Sequence, residues 1–258
     1  MKDFQFYNIF PCSLGKEQLT ARDMIEYRDR TGHDIALYSL SLHPEGRPAS
    51  RKAEIYTESY RRLKAALAGS GVKLGILIQS VLGHWPRVDK DEEPWTRSIN
   101  IKGEAVRYCP LDPDFRNYIF QTVATLAKEA PVMFMGDDDI RGYSHDAECF
   151  CPLHVAKFNQ MTGRSFTSDE MREAVCKCVP GDEIFNAFRQ MQQEMVDGVG
   201  ALIREAIDSV DPTIPGASCM PGEEMRFNNT VSKAFAAKGQ PAIMRICNGN
   251  YGELSAKD

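Results

Sequence analysis

The chain has 258 residues, 31 Lys and Arg against 36 Asp and Glu, and a formal net charge of −5. With 43 % apolar and 26 % charged residues it has the composition of a globular protein with a substantial core, which excludes disorder, collagen and coiled coil. The mild acidity, with no Lys/Arg run longer than two, argues against a general nucleic-acid binder. No apolar stretch of roughly 20 residues and no signal-peptide core is visible, so no membrane partner is expected and the default location is cytoplasmic.

Taken in chain order, strands and helices alternate. Residues 4–10 read as a first strand and 20–31 as its helix, with Thr20 as N-cap. A second strand at 34–40 precedes a helix over 50–68, which stops at Gly69-Ser70-Gly71. A third strand, 72–79, is apolar nearly throughout, as a strand buried on both faces should be. A long polar excursion at 80–110 leads to a helix at 113–129 and a fourth strand at 131–136. A second excursion, 137–180, carries short helices at 152–161 and 168–176. The helix 184–210 is the longest, with its Met191–Met195 face read as core. It is followed by a fifth strand at 214–219, a helix at 228–237 and a sixth strand at 242–247.

This alternation predicts an α/β fold with a parallel sheet and right-handed crossovers. The Gly-rich dinucleotide signature and the phosphate-binding loop are both missing. Polar and aromatic residues gather just after strands, at 43–47, 79–97, 137–145, 220–224 and 248–251. That distribution favours a (β/α)8 TIM-barrel type, with its site at the C-terminal face, over an open doubly wound sheet. The two excursions use about seventy-five residues and leave six of the eight strand–helix steps. Residues 1–258 therefore read as one partial TIM-barrel catalytic domain, ending after the sixth strand.

Three acids follow the fourth strand directly: Asp137, Asp138 and Asp139, with Arg141 two residues beyond. In an extended segment Asp137 and Asp139 share one face and Asp138 takes the other. Like charges at such spacing raise at least one carboxyl pKa, which suits a general acid. The same triplet also reads as an acidic turn paired with Arg141, or as a Mg²⁺ site. Among the eight cysteines, Cys149-Phe150-Cys151-Pro152-Leu153-His154 offers a C-x-C-x-x-H pattern, and Cys109 lies forty residues earlier. Three thiolates and an imidazole suffice for a closed, structural zinc site, while buried thiols that merely fall close together are the alternative. Cys176 and Cys178, on one helix two residues apart, read as packing residues.

These residues resemble glycoside hydrolase family 42, the β-galactosidases of the clan A barrels. In that family a Tyr-Cys-Pro segment follows the third strand and a C-x-C-x-x-C cluster follows the acid-bearing fourth, and some members bind zinc there. Arg107-Tyr108-Cys109-Pro110, then Pro113 and Arg116, is similar to the first segment, and Cys149, Cys151 and His154 to the second, with His in place of the last Cys. The resemblance puts Asp139 on the family's Glu acid and Asp138 on the preceding Asn, two departures that place the chain on a distant branch. It implies a retaining glycosidase, in which an acid and a nucleophile stand roughly 5–5.5 Å apart. The nucleophile is expected after a seventh strand, and no residue here matches it.

On this reading the substrate is a carbohydrate. Trp85 offers a flat face to a sugar ring or packs its own loop. His43 donates to a sugar hydroxyl or is a solvated turn histidine. Asp137, Arg141 and Asn248 complete the expected cleft, and Arg245 points into the barrel as a paired cation. Two alternatives stay open: a carbohydrate-binding or scaffold barrel without catalysis, and a divalent-metal hydrolase using the Asp triplet. A homo-oligomer is compatible with all three.

Overall fold

The computed structural model describes residues 7–46, 48–82, 93–137, 139–140, 148–221 and 225–247, with backbone alone at 220–221, 225–229 and 246–247. Its elements run β1 (Tyr7–Pro11), α1 (Glu17–Thr31), β2 (Ile35–Ser41), α2 (Arg51–Ala66), β3 (Lys73–Gln79), β4 (Arg97–Ile99), β5 (Ala105–Tyr108) and α3 (Pro113–Ala127). Then come β6 (Phe134–Gly136), α4 (Pro152–Thr162), α5 (Ser168–Lys177), α6 (Glu183–Asp208), β7 (Gly216–Pro221), α7 (Met225–Phe235) and β8 (Ile243–Cys247). Six strands pair in parallel, in the order β1-β2-β3-β6-β7-β8. Each neighbour in the sheet is thus the next sheet strand along the chain, as in a (β/α)8 barrel.

The pleat sorts the strand residues into two sets. Ala36, Tyr38, Leu40, Ile76, Ile78 and Phe134 pack outward against the helices, where Tyr60, Leu63, Ile119, Val123 and Ile203 meet them. Leu37, Leu77, Met133, Met135 and Ala217 form a separate cluster built from strand-side residues, with Tyr7, Ile9 and Ile243 packed against it. This is the concave interior of a curled sheet. Register brings the layer together, since Leu77 pairs with Met135, Met135 with Ala217 and Ala217 with Ile243. Gly75 serves this interior: a Cβ there would lie 2.6 Å from Leu37 Cδ2 and 3.0 Å from Met133 Cγ. At Gly216 a Cβ would come within 2.0 Å of the Phe235 carbonyl, so α7 rests on bare backbone.

Along the interior face the character changes from apolar to polar at the C-terminal strand ends. Ser39, Ser41, Gln79 and Asp137 continue the rows begun by Leu37, Leu77 and Met135. This is the mouth where a barrel builds its site.

Three expectations need correction. Thr20 is not the N-cap of α1, which begins at Glu17; its hydroxyl donates instead to Lys16 O at 3.2 Å and Cys12 Sγ at 3.4 Å. The excursion 80–110 contains a hairpin, β4–β5, closed by Asn100, whose Oδ1 accepts from Lys102 N and Glu104 N, and by Gly103 at φ +86°. Cys176 is exposed and Cys178 half-buried, because α5 turns its Met171 face inward and not its C-terminal turn. Met191 and Met195 are buried core, as expected. Among the described residues, no helix is long and apolar enough to cross a membrane.

Candidate functional site

β6 ends at Gly136, and the chain turns at once, with Ile140 N donating to Asp137 O at 3.4 Å. The alternation that would put Asp139 on the same face as Asp137 therefore stops at Asp137. Asp137 stays at the end of the interior row. Its Oδ2 accepts from Gln79 Nε2 at 2.8 Å, and Gln79 Oε1 accepts from Ser39 Oγ at 2.7 Å. This polar chain crosses three adjacent strand ends and holds the carboxylate at 9 % exposure. Asp139 is buried more deeply, at 3 % exposure, and its Oδ2 accepts from the Leu82 backbone N–H at 3.1 Å. The two acids are thus held separately, one by a side-chain chain along the strand ends and one by the backbone that follows β3.

His43 is buried in the loop after β2, its N–H donating to Ser41 Oγ at 3.3 Å and its carbonyl accepting from Lys52 Nζ. It is not a solvated turn residue. Arg245 pairs in register with Cys219 on the interior side, and its Nη1 lies 3.1 Å from Cys219 Sγ. Its side chain is half-buried. Trp95 sits against Tyr108, Phe115 and Tyr118, with ring centroids 5.0–5.9 Å away, and belongs to the core. Asp138, Trp85, Arg141 and Asn248 lie outside the described residues.

The thiol cluster forms where the two excursions meet. Cys109 follows β5 directly. The Asn100–Glu148 bridge delivers Cys149 to the hairpin, Cys151 caps α4, and His154 stands in the first turn of that helix. All four are buried, and their ligand atoms lie within 4.8 Å of one another. His154 Nδ1 is 3.2 Å from Cys109 Sγ and 3.5 Å from Cys151 Sγ, and the latter two sulfurs are 3.5 Å apart. Three backbone N–H groups aim at sulfur, each at 3.4 Å: Ile99 and Cys151 donate to Cys149, and Leu111 donates to Cys109.

The thiols do not ionise independently. Burial opposes ionisation of Cys149, but hydrogen bonds from Cys109, Cys151 and His154 overcome it and hold this thiol far below its ordinary value. The hydrogen bonds with Cys149 and Cys151, together with burial, push Cys109 up. For Cys151 the bond with Cys109 lowers the value, but Cys149 and burial outweigh it and push the thiol up to about 12. A metal ion would stabilise all three thiolates, and the buried donor set with its backbone N–H groups fits one. Among the described residues this is the one group of three or more candidate ligands.

Sequence reasoning overlooked the parts that join these features. Gln79 and Ser39 were visible only as polar ends of apolar strands. Arg107 and Glu148, both buried, form an ion pair at 3.0 Å between β5 and the segment carrying Cys149. Burial pushes the Glu148 carboxyl up, and Arg107 opposes that shift. No sequence signal pairs residues forty-one apart.

No family model matches the chain, and no curated protein matches it. Solved structures do. The chain is similar to the β-galactosidase from Bacillus circulans sp. alkalophilus, with 13 % identity over 98 % of this chain and 41 % of that one, at a TM-score of 0.60. A β-galactosidase from the haloarchaeon Halorubrum lacusprofundi matches with 13 % identity over 90 % of this chain and 39 % of that one, TM-score 0.60. The catalytic domain of β-amylase from Paenibacillus polymyxa matches at 11 % identity, covering 95 % and 76 %, TM-score 0.59. The chain thus spans about two fifths of the length of these β-galactosidases. At such identity the likeness establishes the fold, an α/β half-barrel of the TIM-barrel type found in glycoside hydrolases.

Proposed function

We propose that residues 1–258 form one partial TIM-barrel domain carrying the acid side of a retaining, β-galactosidase-like glycoside hydrolase site, with Asp139 or its neighbour Asp138 as the acid. Cys109, Cys149, Cys151 and His154 hold a structural zinc ion. The observation that carries this reading is the buried Cys/His cluster, in a fold shared with glycoside hydrolases. Three thiolates and one imidazole suit zinc, whereas oxygen ligands would suit Mg²⁺ or Ca²⁺. Asp137, with Gln79 and Ser39 behind it, lines the sugar-binding mouth together with His43, and Trp85, Arg141 and Asn248 are assigned as further sugar contacts on their sequence positions alone. The Asp139 carboxyl would give a proton to the departing glycosidic oxygen while a second carboxylate attacks the anomeric carbon. No residue of this chain is assigned as that nucleophile.

One observation favours a second reading. Asp139 is a methylene shorter than the Glu of the resembled family, is buried, and already accepts from Leu82 N–H. A carbohydrate-binding barrel without turnover accommodates this directly.

Titration of the purified chain with an aryl β-galactoside separates the two. Phenol release that falls by about 10²-fold or more in Asp139→Asn supports the hydrolase. A saturable change in Trp fluorescence without turnover supports the binding barrel, or a hydrolase site whose nucleophile this chain does not supply, and the absence of both signals overturns the carbohydrate reading. Metal analysis beside the Cys149→Ser/Cys151→Ser variant tests the zinc: equal content in both removes it.

A further inference from the structure

The thiol cluster and the candidate acid are joined through one residue. Leu82 donates its N–H to Asp139 Oδ2 at 3.1 Å, and its carbonyl accepts from Arg107 Nη1. Arg107 Nε donates to Glu148 Oε2 at 3.0 Å. Glu148 immediately precedes the ligand Cys149, and Arg107 lies two residues before the ligand Cys109. From α6, Gln192 Nε2 fixes the Glu148 carbonyl at 2.6 Å. Asp139, Leu82, Arg107 and Glu148 are all buried, so no solvent competes along the path.

Resting on the glycosidase reading above, we propose that Arg107 is a positioning residue that couples the metal state of the Cys/His cluster to the pose of the Asp139 carboxyl through the Leu82 backbone. The guanidinium is planar and presents its donors in a fixed fork, so the bond to Glu148 dictates where Nη1 points. Nη1 in turn sets the Leu82 carbonyl. The buried Leu82 side chain fixes the Cα between that carbonyl and the N–H held by Asp139. When the four ligands hold an ion, the segments carrying Cys109 and Cys149 are tied together, and the Arg107–Glu148 pair spans the same two segments. Fixing the cluster therefore holds the Leu82–Asp139 hydrogen bond in place. A lysine at 107 would keep the charge but not two donors in one plane.

The test uses the whole chain, ¹⁵N-labelled and stripped of metal, titrated with Zn²⁺ alone while the Leu82 amide is followed by its resonance and its hydrogen exchange. A parallel Co²⁺ titration reports loading through thiolate-to-cobalt absorption. Loading is expected to slow Leu82 exchange about tenfold, less than the whole worth of a hydrogen bond to a charged group, since the bond exists before loading. Arg107→Met should keep the cobalt band and lose the Leu82 response, and Arg107→Lys should recover part of it. If Arg107→Met does not fold, Glu148→Gln, which keeps an acceptor and removes the charge, should shrink the response in the same direction. An undiminished response in these variants, or none in the wild-type chain while the cobalt band is present, overturns the coupling alone. Absence of the cobalt band overturns the metal centre and the coupling with it, and leaves the galactoside titration to judge the glycosidase reading.

Discussion

The barrel mouth and the thiol cluster are built by opposite means. The mouth is made of strand ends, and Ser39, Gln79 and Asp137 are polar continuations of apolar rows, brought together by strand pairing and side-chain hydrogen bonds. The cluster is made of excursions, and its four ligands depend on a hairpin, an isolated bridge and a helix start that have no sheet beneath them. The mouth inherits its geometry from the interior core. The cluster must supply its own, and its small satellite core around Phe150, Phe158 and Met171 is correspondingly modest. The contrast teaches where a ligand would matter: an ion would contribute most of the order in one region and little in the other.

Removing metal breaks this contrast most sharply. A chelator should cost the folded chain about 4 kcal/mol relative to metal at a thousandfold excess over its Kd. The loss should appear as faster hydrogen exchange over 97–112 and 148–171, with β2 and β3 unchanged. Uniform loss across both regions would show that they are one unit. A smaller effect is expected at the mouth itself. Gln79→Leu removes the donor to Asp137 and the acceptor for Ser39, and should cost about 1–3 kcal/mol in urea unfolding. It should weaken galactoside binding and leave metal content unchanged. A fall in metal content would sink the separation of the two regions.

The smallest effect is a control from outside both. Glu17 accepts from Arg62, Ser59 and Gly15, and Arg62 leads in holding its carboxyl down at about 2, against an ordinary 4.5. A carboxyl lowered in the folded state adds stability that is complete above its unfolded pKa and is lost as pH falls from about 4.5 through about 2. Glu17→Gln should flatten this part of the acid-unfolding curve and leave metal binding at neutral pH untouched.

Much of the fold was legible because a strand buried on both faces reads as an apolar run. All six sheet strands and the seven helices fall within a few residues of their expected bounds. The β4–β5 hairpin was not legible: its strands are three and four residues long, and Arg97 and Arg107 interrupt their apolar pattern. The four cluster ligands were readable from spacing, since a C-x-C-x-x-H run carries its chemistry in one dimension. The environment of Asp139 was not, because the turn after Gly136 cancels the alternation on which its facing was judged. Arg107 and Glu148 escaped for a third reason. Arg107 stood out only as the start of the Arg-Tyr-Cys-Pro segment and Glu148 not at all, and only burial makes them partners.

The 26-residue helix α6 has a mechanical consequence. Phe188 and Met191 on its early turns belong to the satellite core, while Met195, Val199 and Ile203 further on belong to the main one. One rigid rod is thus clamped in both. When the satellite opens it strips the first turns of α6, and the fraying stops where Met195 enters the main core. Strain applied at the thiol ligands reaches the barrel wall along this rod, and the cooperativity of the whole chain is set by how firmly two adjacent turns of a single helix are gripped.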